Sequence, residues 1–293
     1  MHDFNYIRPT SLEQALAFLS NADGEVRPLA GGTDLIPQMK EGVKTPPWVM
    51  DIKAIPEMNR LEFDLQGALH LGAAVSCSDI ASTPEVGEKF PLLRQTTSLI
   101  GGLQIQYRAS VGGNICNAAP SADSAAALLC YGATIRIAGP KGERKVPVEN
   151  FFSGPGKTVL SPQELVVEIE LPAPPSRSAG LYMRFTPREE MDIAIAGVAS
   201  FITLNGRGKR CKEARIALSA VAPTPWRARK AEAILSGKIL TADILEQASQ
   251  QAAAEAQPIS DIRGSAEYRR HLVQVLTRRT LESCLQILNL PLE

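Results

Sequence analysis

Two paired-glycine segments constrain this chain of 293 residues more than any other feature. One is Leu29-Ala30-Gly31-Gly32-Thr33-Asp34-Leu35; the other is Ser110-Val111-Gly112-Gly113-Asn114-Ile115-Cys116-Asn117-Ala118-Ala119-Pro120-Ser121-Ala122-Asp123. Each pair follows β-type residues. Each therefore reads as a turn that can set bare backbone N–H groups against a phosphate, where any Cβ would obstruct the approach. Two such turns suit a diphosphate better than one. Either pair alone fits an ordinary hairpin equally well, and it is the company that decides. Hydroxyls stand at Thr33, Ser110 and Ser121, amides at Asn114 and Asn117, and carboxylates at Asp34 and Asp123. Hydroxyls and amides bind phosphate oxygens, whereas a carboxylate repels them and accepts from ribose hydroxyls or a base amine. The mixture suits a nucleotide. Neither segment matches G-x-x-x-x-G-K-[ST], and G-x-G-x-x-G is absent, which disfavours a P-loop or a Rossmann fingerprint.

The length exceeds one ordinary core and predicts two or three compact units. Lysine plus arginine total 31 and aspartate plus glutamate total 31, so no charge surplus draws the chain to nucleic acid or anionic lipid. No apolar run approaches the roughly 18 to 20 residues that span a bilayer. The N-terminus, Met1-His2-Asp3-Phe4-Asn5, has neither a basic segment nor an apolar core, and a cytoplasmic address is expected. Cys77, Cys116, Cys130, Cys211 and Cys284 are scattered and odd in number, as free thiols in a reducing compartment would be. With His2, His70 and His271 far apart, a metal site finds no support.

Thr10-Ser11-Leu12-Glu13 reads as a capping box opening a helix over 11–20. A strand at 26–30 runs into the first glycine pair, a helix over 34–40 leaves it, and a strand follows at 48–52, giving a small β-α-β lobe over 1–55. A second lobe, over 56–175, holds a hairpin of 61–63 and 69–71 about Gln66-Gly67, helices over 76–81, 92–100 and 123–131, and strands over 133–138 and 164–171. Pro172-Ala173-Pro174-Pro175-Ser176-Arg177-Ser178 cannot be helical and marks a boundary. Beyond it, in a third unit over 179–293, come extended segments at 181–186, 193–204 and 214–221, then helices over 229–235, 242–256 and 265–288. Glu189 and Glu190 are adjacent carboxylates whose side chains point apart, as on a solvated loop.

The two glycine segments, Tyr182-Met183-Arg184 leading to Asp192-Ile193-Ala194, and Ser265-Ala266-Glu267-Tyr268-Arg269 together resemble the FAD-binding medium subunits of molybdenum hydroxylases. That family includes aerobic carbon monoxide dehydrogenase subunits and the flavin domain of xanthine dehydrogenase. The resemblance covers essentially the whole chain. It implies an α+β, PCMH-like (vanillyl-alcohol-oxidase-type) fold of two lobes clasping FAD, followed by a C-terminal domain of a small antiparallel sheet with helices. By motif, FAD contacts would fall on Leu29, Ala30, Gly31, Gly32, Thr33, Asp34 and Leu35, on Ser110, Val111, Gly112, Gly113 and Asn114, and on Asp123. Ile100, Val166 and Arg184 are further carry-overs, Arg184 as a guanidinium near the flavin. The first glycine turn carries Thr33 and no histidine, so the FAD is expected to be non-covalent. The run from Leu61 to Ile115 leaves no room for an iron-sulfur insert. The molybdenum cofactor and [2Fe-2S] clusters would then lie on a large and a small partner subunit, in a dimer of heterotrimers, with electrons passing through FAD to NAD, a quinone or another acceptor. No catalytic acid or base is expected here. Two alternatives remain at this point: a self-sufficient flavin reductase or oxidase of the same fold, and a flavin-free scaffold.

Overall fold

Ser11, in extended backbone, begins the first helix by accepting from the Gln14 amide at 3.2 Å, while Gln14 Oε1 reaches back to the Thr10 amide at 3.0 Å. The capping box therefore lies one residue later than Thr10–Glu13. The computed structural model describes residues 1–189, 191–206 and 208–290. Glu190 of the Glu189-Glu190 pair lies outside the described residues.

Strands β1 (Asn5–Ile7), β2 (Val26–Leu29) and β3 (Trp48–Asp51) form a parallel sheet in the order β1-β3-β2, with helices α1 (Leu12–Asn21) and α2 (Leu35–Lys40) as connections. Ala15 and Leu19, on one face of α1, pack with Met50 and Ile52. A strand of three residues such as β1 is too short for alternation to reveal it.

The second sheet is antiparallel, in the order β4-β5-β10-β6-β7, from β4 (Leu61–Phe63), β5 (Leu69–Gly72), β6 (Thr134–Gly139), β7 (Gly142–Pro147) and β10 (Leu165–Leu171). The strands β8 (Phe152–Gly154) and β9 (Lys157–Thr158) form a separate pair. Between β5 and β6 run α3 (Cys77–Ser82), α4 (Pro84–Lys89), α5 (Pro91–Ser98), α6 (Leu103–Gln106), α7 (Val111–Asn117) and α8 (Asp123–Tyr131). The expected helix over 92–100 stops at Ser98, and Ile100 lies beyond it. The second glycine pair is a correction: Gly112 and Gly113 occupy the first turn of α7, not a β-turn. Ser110 supplies the reason, since its hydroxyl accepts from the Gly113 amide at 3.0 Å and caps a helix that glycine propensity alone would not start.

The third sheet, in the antiparallel order β11-β12-β13-β14, comprises β11 (Ser178–Phe185), β12 (Ala196–Leu204), β13 (Cys211–Ser219) and β14 (Trp226–Arg227). Helices α9 (Arg229–Leu235), α10 (Ala242–Glu255) and α11 (Ala266–Ile287) cover one face, where Val198 and Ile202 meet Leu276 and Leu281. The other face has no solvent layer. Tyr182, Ala199, Phe201 and Ala217 join the core of the middle sheet, and Phe201 packs edge-on to Tyr131 of α8 with centroids 5.3 Å apart. All nine residues of α8 are buried as a result. This explains why its alanine-rich sequence shows little amphipathic contrast: it has no solvent side.

Candidate functional site

The two glycine segments touch. A Cβ built on Gly31 would lie 1.8 Å from the carbonyl oxygen of Arg108 and 2.8 Å from the Ala109 nitrogen, backbone atoms just ahead of α7. Ala30 lies across the same seam, its Cβ 3.9 Å from the position a Cβ would take on Gly113. Gly112 is pressed on the other side, with the Ala73 oxygen 2.4 Å from its would-be Cβ. Gly31 and Gly112 are thus glycines because protein backbone fills the space a side chain would need, and not because a ligand does. Gly32 has φ +75°, the left-handed region that favours glycine. Gly113 alone of the four meets only a hydroxyl and a methyl, at 3.1 and 3.9 Å, and keeps open room beyond them.

Lys53 braces the first bend. Its ammonium donates to the Ala30 carbonyl at 2.9 Å and pairs with Asp51 at 2.8 Å, while Tyr6 donates to the same carboxylate at 2.7 Å. Burial works to raise the Asp51 carboxyl, but Lys53 and Tyr6 together hold it below its ordinary value. Among the described residues, nothing accepts from the N–H groups of Gly31 through Leu35, and Asp34, the residue ahead of α2, makes no capping bond. These are unspent donors in a row, the arrangement that binds anions. A diphosphate is a group of that chemistry.

Asp34 and Cys116 are both exposed, yet surrounding protein raises both groups, the Cys116 thiol to about 12. Gln38 of α2 donates to Asn117 of α7 at 3.4 Å, and Ser124 donates to Asn114 at 2.6 Å, which ties α7 to α8.

Asp123, at the start of α8, is buried and accepts at 2.6 Å from the Tyr182 hydroxyl and at 2.6 Å from Arg184 Nη1. Burial raises its carboxyl, against the pull of Arg184 and Tyr182. Ser219 stands 3.0 Å from the same phenol oxygen, and Gly197 makes the room, since a Cβ there would lie 2.2 Å from it. Gln95 completes the bracket by bonding both the Tyr182 amide and carbonyl at 2.9 Å. The sequence reading gave Asp123 and Arg184 no relation to each other and Tyr182 no role. Period two was the available signal, because Tyr182 and Arg184 share one face of β11.

The remaining expected residues are less central. Val166 is buried in β10 beside a bulge, next to the Val167 carbonyl that accepts from Ala73 at 2.9 Å. Ile100 is half-buried after α5, and among the described residues no hydrogen bond joins it to either glycine segment.

Fold and seam define a two-lobed α+β protein with a C-terminal sheet-and-helix domain. Residues 2–174 match the model of the FAD binding domain in molybdopterin dehydrogenase, and residues 182–284 match that of the CO dehydrogenase flavoprotein C-terminal domain. The chain is 35% identical over 280 residues to the glyceraldehyde dehydrogenase medium chain of Sulfolobus acidocaldarius, covering 96% of this chain and 98% of that one. It is 35% identical to the carbon monoxide dehydrogenase medium chain of Afipia carboxidovorans, covering 95% and 96%. Among solved structures, carbon monoxide dehydrogenase from Hydrogenophaga pseudoflava superposes with a TM-score of 0.93 at 33% identity, covering 97% of this chain and 98% of that chain. The chain belongs to the FAD-binding medium subunits of the molybdenum hydroxylases. It is an oxidoreductase subunit with the mixed α+β fold expected of that family.

Proposed function

We propose that this chain holds FAD non-covalently along the seam between its first two lobes, 1–55 and 56–175, with the 179–293 domain closing over the flavin end. The observation that carries this is the row of unpartnered amides from Gly31 to Leu35 packed against the backbone that leads into α7. Leu29 to Leu35 and Ser110 to Asn114 would grip the diphosphate, with the open face of Gly113 as its closest approach. Ile100 and Val166 would supply apolar contact. Asp123 would set the Arg184 guanidinium toward the flavin, where a fixed positive charge favours a negatively charged reduced ring.

FAD, when bound, supplies the exchange between one- and two-electron carriers; the chain supplies position, exclusion of water and charge. In this reading electrons reach the flavin from [2Fe-2S] clusters on a small partner subunit, after substrate oxidation at a molybdenum cofactor on a large one. They leave to NAD, a quinone or another acceptor. The trimer is taken to pair into a dimer of heterotrimers. Among the described residues, no helix is long and apolar enough to cross a membrane.

An absorbance spectrum of the purified chain tests the cofactor, and Gly113→Val tests its placement. The branched side chain enters the most open of the four glycine positions of the two segments and abolishes flavin retention. A full complement of FAD in that variant refutes the placement, and isolation from the host as a lone, catalytically complete chain refutes the subunit assignment.

A further inference from the structure

At the end of β3 the Asp51 carboxylate turns the chain by accepting from the Lys53 amide at 2.9 Å. The Ile52 amide, between them, donates to the Leu29 carbonyl at 3.1 Å and closes the pairing of β3 with β2. Lys53 then reaches one residue further along the neighbouring strand, where its ammonium donates to the Ala30 carbonyl at 2.9 Å. Gly31 and Gly32 come next, and a glycine pair has more freedom than any other backbone to turn its peptide groups elsewhere.

We propose that Lys53 is a positioning residue for the cofactor diphosphate, one that sets the direction of the Gly31 N–H; the inference rests on the FAD reading above. In a trans peptide the C=O and N–H of one plane point opposite ways. Holding the Ala30 oxygen toward Lys53 therefore turns the Gly31 N–H away from it, as the first member of the row of amides that nothing accepts from among the described residues. The ammonium also draws electron density onto the Ala30 oxygen, which makes the Gly31 N–H a stronger donor. Lys53 thus acts on the diphosphate through a peptide group.

Two further observations favour direction over simple attraction of charge. The Lys53 ammonium is paired with Asp51 Oδ1 at 2.8 Å, and both side chains are largely covered, so the pair presents little net charge to an arriving anion. The clamp is also held from outside the bend. Tyr6 of β1 donates to Asp51 Oδ2 at 2.7 Å, so one carboxylate receives the Tyr6 hydroxyl, the Lys53 amide and the Lys53 ammonium. All three strands of the first sheet are joined at this point, β1 through Tyr6, β3 through Asp51 and β2 through the Ala30 carbonyl that follows it. A lysine fixed at both ends in this way has one geometry to impose, and the peptide before Gly31 takes it.

The test is fluorescence titration of FAD into the flavin-free chain, joined to phosphorus NMR and visible absorbance of the flavin-loaded one. Lys53→Met keeps the apolar stem and removes the donor, and FAD affinity is expected to fall about 10-fold. Lys53→Arg, which still donates to Ala30 and pairs with Asp51, is expected to keep most of it. Because Lys53→Met alone strands a covered carboxylate, Asp51→Asn combined with Lys53→Met is measured too, and the same loss is expected. Phosphorus NMR separates positioning from general loosening: the diphosphate signals of bound FAD shift in Lys53→Met while the visible flavin spectrum stays as it was. Unchanged affinity in the double variant, no recovery with Lys53→Arg, or diphosphate signals identical to those of the unmodified chain overturns the proposal. An unmodified chain that takes up no FAD overturns the cofactor reading and this inference with it, and that first titration tells the two failures apart.

Discussion

Gly31→Ala puts one methyl group where the Arg108 carbonyl oxygen lies 1.8 Å away. Ordinary contact begins at 3.4 Å, so the two lobes have to part by the difference, 1.6 Å. The obstructing atoms are backbone, not the end of a flexible side chain, so the change falls at the top of the range for overpacking, about 3 kcal/mol of folding stability. The same displacement carries the Gly31–Leu35 amides away from α7. Losing two charge-assisted hydrogen bonds of about 1.5 kcal/mol each weakens flavin binding by about 100-fold. Urea unfolding of the flavin-free chain reads the first number, and fluorescence quenching on titration with FAD reads the second. Gly154→Ala is the control, because a Cβ there meets nothing within 4 Å and its φ is not positive. Gly31→Ala with unchanged stability and unchanged FAD affinity refutes the seam as the site's foundation.

Three further outcomes follow from other contacts. Asp123→Asn leaves the Arg184 guanidinium buried without its counter-charge and lowers stability by about 3–5 kcal/mol in chemical denaturation, whereas a loss below 1 kcal/mol would mean that water already reaches the pair. The Arg144 guanidinium, hydrogen-bonded to Glu164, holds that carboxyl at about 2, well below its unfolded value. The contribution is therefore complete above pH 4.5 and lost as pH falls through about 2; Arg144→Met removes about 1–3 kcal/mol at pH 7 and nothing once both states are protonated, read from denaturation at a series of pH values. Cys116 is exposed, but surrounding protein pushes its thiol up, so iodoacetamide at pH 8 labels it more slowly than a free cysteine, measured by mass spectrometry; labelling at the free-cysteine rate would show that the seam is wetter than its geometry implies.

What the sequence made legible was periodic or punctuated. The helix expected over 229–235 is α9 to the residue, and the extended segment expected over 193–204 contains β12, whose mostly apolar sequence reflects burial on both faces. The connector 172–178 is where β10 ends and β11 begins. Missed elements carry little pattern: β7 is a nearly all-exposed edge strand whose Gly142-Glu143-Arg144-Lys145 reads as a loop, and β14 has two residues. At the site, both glycine segments were found but the work of their glycines was not. Gly31 and Gly112 answer to Arg108 and Ala73, distant in sequence, and no local pattern encodes which backbone will arrive there. The same blindness hid Lys53 behind the first bend and Tyr182 between Asp123 and Ser219.

The proline-rich stretch before Ser178 invites a cut that would yield the flavin-binding part as a free-standing piece. Helix α8 forbids it. Its nine buried residues are covered on one side by the middle sheet and on the other by Phe201, Ala199 and Ala217, so a fragment ending at Pro175 would lay bare a greasy wall and clump. A boundary that is plain in the amino-acid string is thus invisible to the melting of the molecule, which should come apart in one step.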